Sequence, residues 1–359
     1  MTDRATPLLA AHQALGARLT EFAGWQMPLQ YEGVIAEHNA VRTSAGLFDV
    51  THLGKLRVKG GGDALQRALT ADVLALEPGR ATYALTLVDD GGCVDDVFVY
   101  RIGADEWLVV PNAANVHAVA ECIREAGGGA GGEVTDEWDR FAILALQGPD
   151  SFTVFEKVWP GSEALSLKLH HWCTLDVFGS EGLVARTGYT GERGFEIYAP
   201  FEVAERAWSA LLDAGASPVG LGARDTLRLE MGYALYGHEL SREINPLEAG
   251  LGWALAWETP FRGREALLAV KEGGGPARRL FGIVCTDKGV PRQGYAVYAG
   301  DDQVGELTSG NFSPTLGAGI ALALGPAATR PEPGERVAIE ARGRRIAGDI
   351  VKPPFKKSL

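Results

Sequence analysis

The sequence predicts an α+β fold with a small β domain at its C-terminal end. Before residue 271, predicted helices and strands alternate irregularly, which favours an α+β arrangement over a doubly wound parallel sheet. After residue 278, short strands separated by turn residues follow one another, as in a small closed or sandwiched β domain. Glycine accounts for 47 of the 359 residues, which supports many tight turns because glycine adopts positive φ without steric cost.

The predicted helices rest on capping residues and on apolar spacing. Thr6 can cap a first helix, Pro7 suits its first position and Gly16 can end it. Asn112 can cap a longer helix that runs to Ala126, because apolar residues recur within it at helical spacing. Two further helices are predicted at Phe201–Ala214 and Ala223–Met231.

Short apolar runs bounded by turn residues predict the strands. The turn Gly103–Asp105 joins the first two into a hairpin. The strands predicted before residue 271 are Val94–Arg101, Glu106–Pro111, Phe141–Leu146, Cys173–Phe178, Leu183–Thr187 and Phe195–Ala199. Those predicted later are Leu280–Cys285, Tyr295–Tyr298, Gln303–Leu307, Gly319–Leu324, Arg336–Glu340 and Arg345–Val351.

A composition break near residue 271 predicts the main domain boundary. The stretch Lys271–Arg279 is rich in glycine and contains a proline, a composition typical of a linker. We therefore expect one region at residues 1–270, a linker at 271–278 and a C-terminal domain at 279–359.

Composition excludes several classes of function. The net charge of −12 opposes binding to nucleic acid and to anionic lipid. The four cysteines are scattered without a C-x-x-C pair, which indicates reduced, mostly buried thiols. Neither a signal peptide nor an apolar run of membrane-spanning length is apparent in the sequence, and the predicted localisation is the cytoplasm.

Three patterns that resemble chemical motifs have ordinary interpretations. Gly127–Gly132 matches G-x-G-x-x-G, but it follows a predicted helix instead of a strand, so a loop is expected. His170 and His171 lack cysteine or carboxylate neighbours at metal-ligand spacing and are predicted to be surface or structural residues. No serine lies in a G-x-S-x-G frame, and a serine hydrolase is unsupported.

The first candidate functional residue is Asp96, at the start of a predicted strand. Side chains alternate along a strand, so Asp95 and Asp96 should face opposite ways. Asp96 then shares a face with Phe98 and Tyr100. A carboxylate among aromatic residues is costly to bury without a partner, which makes Asp96 a functional candidate. The alternative is an exposed face at the rim of a hairpin.

A second candidate site lies in the glycine-spaced segment Arg186–Tyr198. Glu196 and Tyr198 share one face of the strand that ends it. A carboxylate beside a tyrosine can accept two hydrogen bonds from an amino-pyrimidine edge while the ring stacks on it. The alternative is an ordinary turn with a solvated glutamate.

A third candidate is Arg224, which lies one helical turn before Arg228. An arginine near a helix start suits a carboxylate ligand, because both its guanidinium and the helix N-terminus attract anions. The alternative is a surface pair with Asp225 or Glu230.

Taken together, nine segments resemble the aminomethyltransferases, or T-proteins, of the glycine cleavage system. The resemblance is collinear over nearly the whole chain, and the order and number of the segments make it specific. The segments are Phe22–Leu29, Phe48–Lys55, Gly91–Asp96, Asn112–Asn115, Gln147–Pro149, Arg186–Glu192, Gly222–Asp225, Asn245–Gly250 and Thr308–Leu316.

This resemblance implies a fold and a reaction. The expected fold is a three-domain cloverleaf around a central folate site, with two interleaved domains in residues 1–270 and a small β barrel in residues 279–359. The expected reaction moves the methylene of an aminomethyl group, carried on the lipoyl arm of H-protein, to tetrahydrofolate. Ammonia, 5,10-methylenetetrahydrofolate and the dihydrolipoyl carrier are the products. Neither a metal nor a flavin is expected.

The resemblance also assigns roles to individual residues. Asp96 matches the catalytic aspartate, Glu196 the glutamate that binds the pterin edge, and Arg224 the arginine of the folate pocket. The expected pocket-lining residues are Tyr83, Tyr100, Asn112, Tyr189 and Tyr233.

Departures from the family pattern are mild, and two related functions remain as alternatives. Thr51 and Leu53 replace a common serine and methionine, and Asn311 stands where threonine is frequent. One alternative is a stand-alone folate-dependent demethylase of another amine. The other is a folate-binding accessory protein of iron–sulfur cluster assembly, whose Lys-Gly-Cys-Tyr-x-Gly-Gln-Glu signature is replaced here by Gly232–Glu239.

Overall fold

The fold is described from a computed structural model, which covers residues 4–128 and 132–356. Part of the predicted loop Gly127–Gly132 therefore lies outside the described residues. The chain divides into two compact units, each assembled from three segments. The first comprises Met1–Ala68, Asp72–Ala84 and Val97–Asp225, and the second comprises Leu69–Ala71, Leu85–Asp96 and Thr226–Leu359. The expected domain boundaries near residues 270 and 279 stay a prediction.

Eight α-helices and three short 3-10 helices lie within the described residues. The α-helices are Leu9–Ala14, Val34–Thr43, Gly62–Ala68, Val116–Gly127, Ser151–Val158, Phe201–Asp213, Leu221–Glu230 and Arg264–Glu272. The 3-10 helices are Ala113–Asn115, Glu163–Ser166 and Gly252–Ala254. Within the described ranges, no helix is long and apolar enough to cross a membrane.

Three sheets are formed by the strands that precede the C-terminal region. A six-stranded sheet has the order Trp172–Val177, Ser180–Ala185, Gly194–Pro200, Phe141–Gln147, Gly46–Asp49 and Ser217–Val219. A five-stranded sheet has the order Ala81–Leu87, Cys93–Gly103, Glu106–Val110, Leu56–Lys59 and Glu133–Asp136. A three-stranded sheet has the order Arg4–Ala5, Trp25–Gln30 and Arg18–Phe22.

The core of the first unit lies on one face of the six-stranded sheet. Phe195 and Ile197 point into this core from a central strand and are fully buried. Trp208 of helix Phe201–Asp213 packs in the same apolar cluster. Because side chains alternate along a strand, Glu196 and Tyr198 face the opposite side of the sheet.

The C-terminal strands close into a six-stranded barrel in the second unit. The strand order around the barrel is Arg278–Cys285, Ala318–Pro326, Asp302–Ser313, Ala296–Ala299, Arg336–Ala341 and Arg344–Val351. Alternate residues such as Ile283, Val297 and Ile339 fill its interior and are fully buried. Closure removes the unpaired edges that an open sheet would expose.

Glu230 is buried and forms hydrogen bonds with a barrel turn and with the C-terminal segment. Glu230 ends helix Leu221–Glu230, and its carboxylate accepts hydrogen bonds from Ser313 Oγ at 2.5 Å and Thr315 Oγ1 at 2.9 Å. Its carbonyl oxygen accepts from the backbone N–H groups of Phe355 at 2.8 Å and Lys356 at 3.1 Å. The end of the helix therefore anchors both a barrel turn and the C-terminal segment.

The α+β class and the closed C-terminal barrel agree with the sequence-based expectation. The early part of the chain was predicted less completely: strands such as Arg18–Phe22, Trp25–Gln30 and Gly46–Asp49 carried no prediction. The predicted cap at Asn112 is wrong, because its side chain makes no capping hydrogen bond and the α-helix begins only at Val116. A 3-10 turn, Ala113–Asn115, comes first.

The segment Phe48–Lys55 forms a buried polar cluster in the first unit. Asp49 is fully enclosed and accepts hydrogen bonds from Thr6 Oγ1 at 2.7 Å and from the Thr51 N–H at 2.9 Å. His12 Nε2 lies 2.8 Å from the same carboxylate, and these contacts hold the pKa of Asp49 below its usual value despite burial. The cluster thus satisfies a charge that would otherwise be expensive to bury.

Lys55 lies at the end of this segment and is also buried. Its Nζ donates to the carbonyl oxygens of Thr51 at 2.8 Å and Trp138 at 3.4 Å. Burial lowers the pKa of Lys55 to about 7, although the charge of Asp49 opposes this shift. Near neutral pH, the buried ammonium is therefore poised to lose its proton.

We expect stability to rise with pH above neutrality because of Lys55. Below a pH of about 7 the ammonium is charged in folded and unfolded protein alike, and its burial cost is fully present. Between that pH and the ordinary lysine pKa of about 10.4, the unfolded chain binds a proton that the folded chain lacks, so stability rises. The melting temperature of the wild type minus that of Lys55→Met should therefore increase between pH 7 and about pH 9.

Lys59→Met is the matched control, because Lys59 is exposed and contacts Glu106 only at 3.6 Å. Its difference from the wild type should stay constant over the same range. A constant difference for Lys55→Met as well would show that Lys55 keeps an ordinary pKa.

Candidate functional site

Glu196 lies on a central strand of the six-stranded sheet, between two small side chains. Its strand, Gly194–Pro200, pairs with Phe141–Gln147 on one side and Ser180–Ala185 on the other. The residues in register with Glu196 are Ala145 and Ala185. Because both have only a methyl side chain, a partly exposed carboxylate sits between two small residues.

Hydroxyl groups surround the Glu196 carboxylate. Thr187 Oγ1 donates a short hydrogen bond to Oε2, and the Tyr100 hydroxyl donates to the same oxygen at 3.4 Å. The Tyr198 hydroxyl in turn donates to the Tyr100 oxygen at 3.1 Å. This chain of hydroxyls fixes one carboxylate oxygen and restricts rotation of the group.

The electrostatic environment of Glu196 combines opposing effects. Burial raises the pKa of this carboxyl above its ordinary value. The Thr187 hydroxyl and the charge of Arg224 oppose the rise. Burial also raises the pKa of Tyr100, which keeps its hydroxyl protonated and able to donate. These contacts therefore reduce the effect of burial on the carboxyl without cancelling it.

Arg224 and Tyr189 are brought together beside Glu196. Arg224 lies in the first turns of helix Leu221–Glu230, and its backbone N–H donates to Gly220 O at 3.2 Å. Its guanidinium carbon lies 4.6 Å from the centroid of the Tyr189 ring, a cation–π distance. Stacking on the ring holds the guanidinium in place while its N–H groups remain suited to an anion.

A row of aromatic rings extends from Tyr100. The Phe98 ring centroid lies 5.9 Å from that of Tyr100 and 6.4 Å from that of Tyr83. His170 packs edge-on against Phe98 at 5.4 Å with an interplanar angle of 75°. Such rings offer apolar faces on which a planar ligand can stack.

Asp96 lies in the second unit, at the start of strand Cys93–Gly103. It is partly exposed, whereas Asp95 is fully buried, a difference consistent with side chains on opposite faces. The charges of both aspartates add to burial in raising the pKa of the Cys93 thiol. Cys93 is therefore a neutral, buried thiol rather than a nucleophile.

A tight backbone contact positions the start of that strand. A Cβ at Gly92 would collide with the carbonyl oxygen of Arg242, so only glycine fits there. The next N–H, that of Cys93, donates to Ser241 O at 2.9 Å. The residues preceding Asp96 are thus held against the segment Ser241–Arg242.

Tyr233 and Asn112, two further predicted pocket residues, make backbone contacts within their own units. Tyr233 is 38% exposed and belongs to the second unit, where its N–H donates to Arg228 O at 3.0 Å. Asn112 is partly buried in the first unit, and its carbonyl accepts from the Asn115 N–H at 2.9 Å. Of the predicted residues in the first unit, Glu196, Tyr100, Arg224 and Tyr189 form one connected group.

Sequence reasoning missed two contributors to the surroundings of Glu196. Thr187 lies within the glycine-spaced segment but was not singled out. Tyr198 was expected to stack on a ligand, whereas its hydrogen bond to Tyr100 was not expected. Arg228 was noted only for its place one helical turn after Arg224; it is 2% exposed, and its guanidinium bonds Glu239 at 3.0 Å and Ser309 Oγ at 2.8 Å. The burial of Arg228 could not be read from helical spacing alone.

The connected group suits a planar ligand with donor and acidic parts. A fixed carboxylate accepts hydrogen bonds from paired donors, aromatic faces stack, and a guanidinium binds an anion. Within residues 4–128 and 132–356, no cluster of His, Cys, Asp or Glu has the arrangement of a metal site.

Comparison with known families covers both parts of the chain. Residues 8–259 match the family model of the GCVT N-terminal domain. Residues 278–357 match that of the glycine cleavage T-protein C-terminal barrel domain, the region in which the six-stranded barrel is observed. The match to the N-terminal domain precedes the match to the barrel domain along the chain, and the two do not overlap.

Full-length relatives and a solved structure agree with these matches. An aminomethyltransferase of Halothermothrix orenii is 44% identical over 98% of this chain and 99% of its own length. One of Mycobacterium bovis is 46% identical over 97% and 96%. The crystal structure of the glycine cleavage system aminomethyltransferase T from Bartonella henselae is 31% identical, covers 99% of both chains and superposes with a TM-score of 0.92. The chain belongs to the aminomethyltransferase family, the T-proteins of the glycine cleavage system.

Proposed function

We propose that the protein transfers the methylene of an aminomethyl group on the lipoyl arm of H-protein to tetrahydrofolate. The C–S and C–N bonds of the aminomethyl group break, and two new C–N bonds form to folate nitrogens. The two displaced N–H protons leave with the carrier thiol and with ammonia, and no oxidant or reductant is needed. The observation that carries this proposal is the fixed Glu196 carboxylate beside aromatic rings and Arg224.

Tetrahydrofolate fits the chemistry of the connected group. Its pterin carries an amino-pyrimidine edge with adjacent donors, which a carboxylate can bind through two hydrogen bonds. Glu196 is suited to this because one oxygen is held by Thr187 and Tyr100 and the group remains partly exposed. The carboxylates of the folate glutamate are the complementary partner for the guanidinium of Arg224.

Asp96 is the residue we assign to the chemical step. Departure of ammonia leaves a cationic iminium carbon, and a carboxylate close to that carbon lowers the energy of the developing charge. The same carboxylate can orient a folate nitrogen for attack, which is a positioning role. Partial exposure of Asp96 leaves its side chain accessible to a ligand, unlike the enclosed Asp95.

We expect ammonia release to require both substrates. The protein mixed with aminomethyl-loaded H-protein and tetrahydrofolate should release ammonia and form methylenetetrahydrofolate in equal amounts, because one methylene is transferred per amine lost. Ammonia is measured by a coupled assay and the folate product by chromatography. Omission of tetrahydrofolate, or an unlipoylated carrier, serves as the control. Equal ammonia release with and without tetrahydrofolate would contradict the proposed reaction.

Asp96→Asn should lower kcat by about two to three orders of magnitude, the usual effect of removing one electrostatic group from a transition state. Tetrahydrofolate affinity should stay close to that of the wild type, because the amide keeps the shape of the carboxylate. The turnover assay above and a calorimetric titration measure the two effects separately.

Asp95→Asn is the comparison, since it makes the same chemical change one residue away. Asp95 is fully buried, so this variant should lower the melting temperature, and activity is compared per folded molecule. Equal losses of kcat in the two variants would remove Asp96 from its assigned role.

Glu196→Gln and Arg224→Ala should each weaken tetrahydrofolate binding by about 1.5–3 kcal/mol, the typical value of a charge-assisted hydrogen bond. Isothermal titration calorimetry measures this directly. Glu181→Gln is the matched control, because Glu181 is exposed on strand Ser180–Ala185 of the same sheet. Affinities equal to that of the control in both variants would place the two residues outside the pocket.

A further inference from the structure

A tight turn holds His170 in a backbone conformation that normally favours glycine. The His171 N–H donates to Lys168 O at 3.1 Å and closes the turn, in which His170 is the third residue. Its φ is +60°, the left-handed value that favours glycine at this position of a turn. For a residue with a Cβ, this conformation is disfavoured because the Cβ comes too close to the following carbonyl oxygen.

Neighbouring segments hold this conformation from both sides. The His170 N–H donates to Arg186 O at 3.0 Å, and the His170 carbonyl accepts from the Ala81 N–H at 2.8 Å. The Arg186 N–H donates to the His171 carbonyl at 2.8 Å. A strained residue persists where its surroundings enforce it, and such residues cluster at functional sites.

The turn brings the His170 imidazole to the aromatic row beside Glu196. Its ring lies edge-on to Phe98 at 5.4 Å. Phe98 in turn lies 5.9 Å from Tyr100, whose hydroxyl donates to the Glu196 carboxylate. All four residues belong to the first unit. His170 thus borders the same connected group although it is distant in sequence.

The imidazole has unused hydrogen-bonding capacity. Partial burial, with smaller effects from the charges of Arg80 and His171, lowers the pKa of His170, and a neutral imidazole offers one donor and one acceptor. Its ring nitrogens make no hydrogen bond to any residue in the described ranges 4–128 and 132–356. The side chain is also exposed at the surface, so a ligand can reach it.

We propose that His170 is a further ligand-contacting residue of this site, whose imidazole hydrogen-bonds a polar edge of bound tetrahydrofolate. The proposal rests on the proposed function and adds a ligand contact to the surface or structural role that the sequence indicates for this exposed histidine. Its neighbour His171 differs, because His171 Nδ1 is already engaged by Leu169 O at 3.0 Å within the turn.

His170→Gly is the decisive variant, because glycine removes the imidazole and also relieves the strain at positive φ. The melting temperature should be unchanged or higher, which excludes misfolding as the cause of any loss. Calorimetric titration with tetrahydrofolate should show a dissociation constant raised roughly two- to tenfold, the effect of one net hydrogen bond. In turnover, the KM for tetrahydrofolate should rise while kcat is largely retained. His170→Asn, which tolerates positive φ and keeps a donor and an acceptor, should recover part of the affinity.

A spectroscopic measurement supplies an independent readout. In proton NMR of the wild type, the imidazole C–H signal assigned to His170 should shift when tetrahydrofolate is added, and the His171 signal should stay in place. His171→Asn is the matched control and should bind with wild-type affinity.

Two negative results have different meanings. Failure of the wild type to bind tetrahydrofolate would contradict the proposed function itself. Normal binding by the wild type that His170→Gly leaves unchanged, without a shift of the His170 signal, would overturn only the role of His170.

Discussion

The candidate site depends on one constraint, a carboxylate held on a central strand of a sheet whose other face is the core. Phe195 and Ile197 fix the strand by burial, and alternation then obliges Glu196 to face away from the core. Alanine at both register positions leaves space for a ligand. Hydrogen bonds from the hydroxyls of Thr187 and Tyr100 offset part of the effect of burial on the charge. Larger side chains at the two register positions would crowd the Glu196 carboxylate. Loss of the two hydroxyls would favour its neutral form.

Much of this arrangement was predictable because it depends on local periodicity. The period of two along Gly194–Pro200 places Glu196 and Tyr198 on one face, and the helical start near Leu221 places Arg224 in the first turns. Six strands after residue 278 indicated a small β domain, and the barrel is observed there. Each of these inferences uses neighbours within a few residues of one another.

The contacts that sequence reasoning missed join residues far apart in the chain. Tyr100 reaches Glu196 across 96 positions and Arg228 reaches Ser309 across 81, and no local pattern reports such pairings. The Phe48–Lys55 segment was recognised as a motif without a physical reason. The structure supplies one, since Asp49 and Lys55 are both buried and each is satisfied by hydrogen bonds.

The environment of Glu196 has a consequence for the heat of ligand binding. Because burial raises its pKa, the carboxyl binds a proton at higher pH than an ordinary glutamate does, and the protonated form presents a donor where the ionised form presents only acceptors. A ligand that offers two donors selects the ionised form, and in the pH range where the free carboxyl is partly protonated its proton passes to the buffer on binding. The enthalpy observed on binding then includes the ionisation heat of that buffer, so two buffers of different ionisation enthalpy report different heats for the same contact.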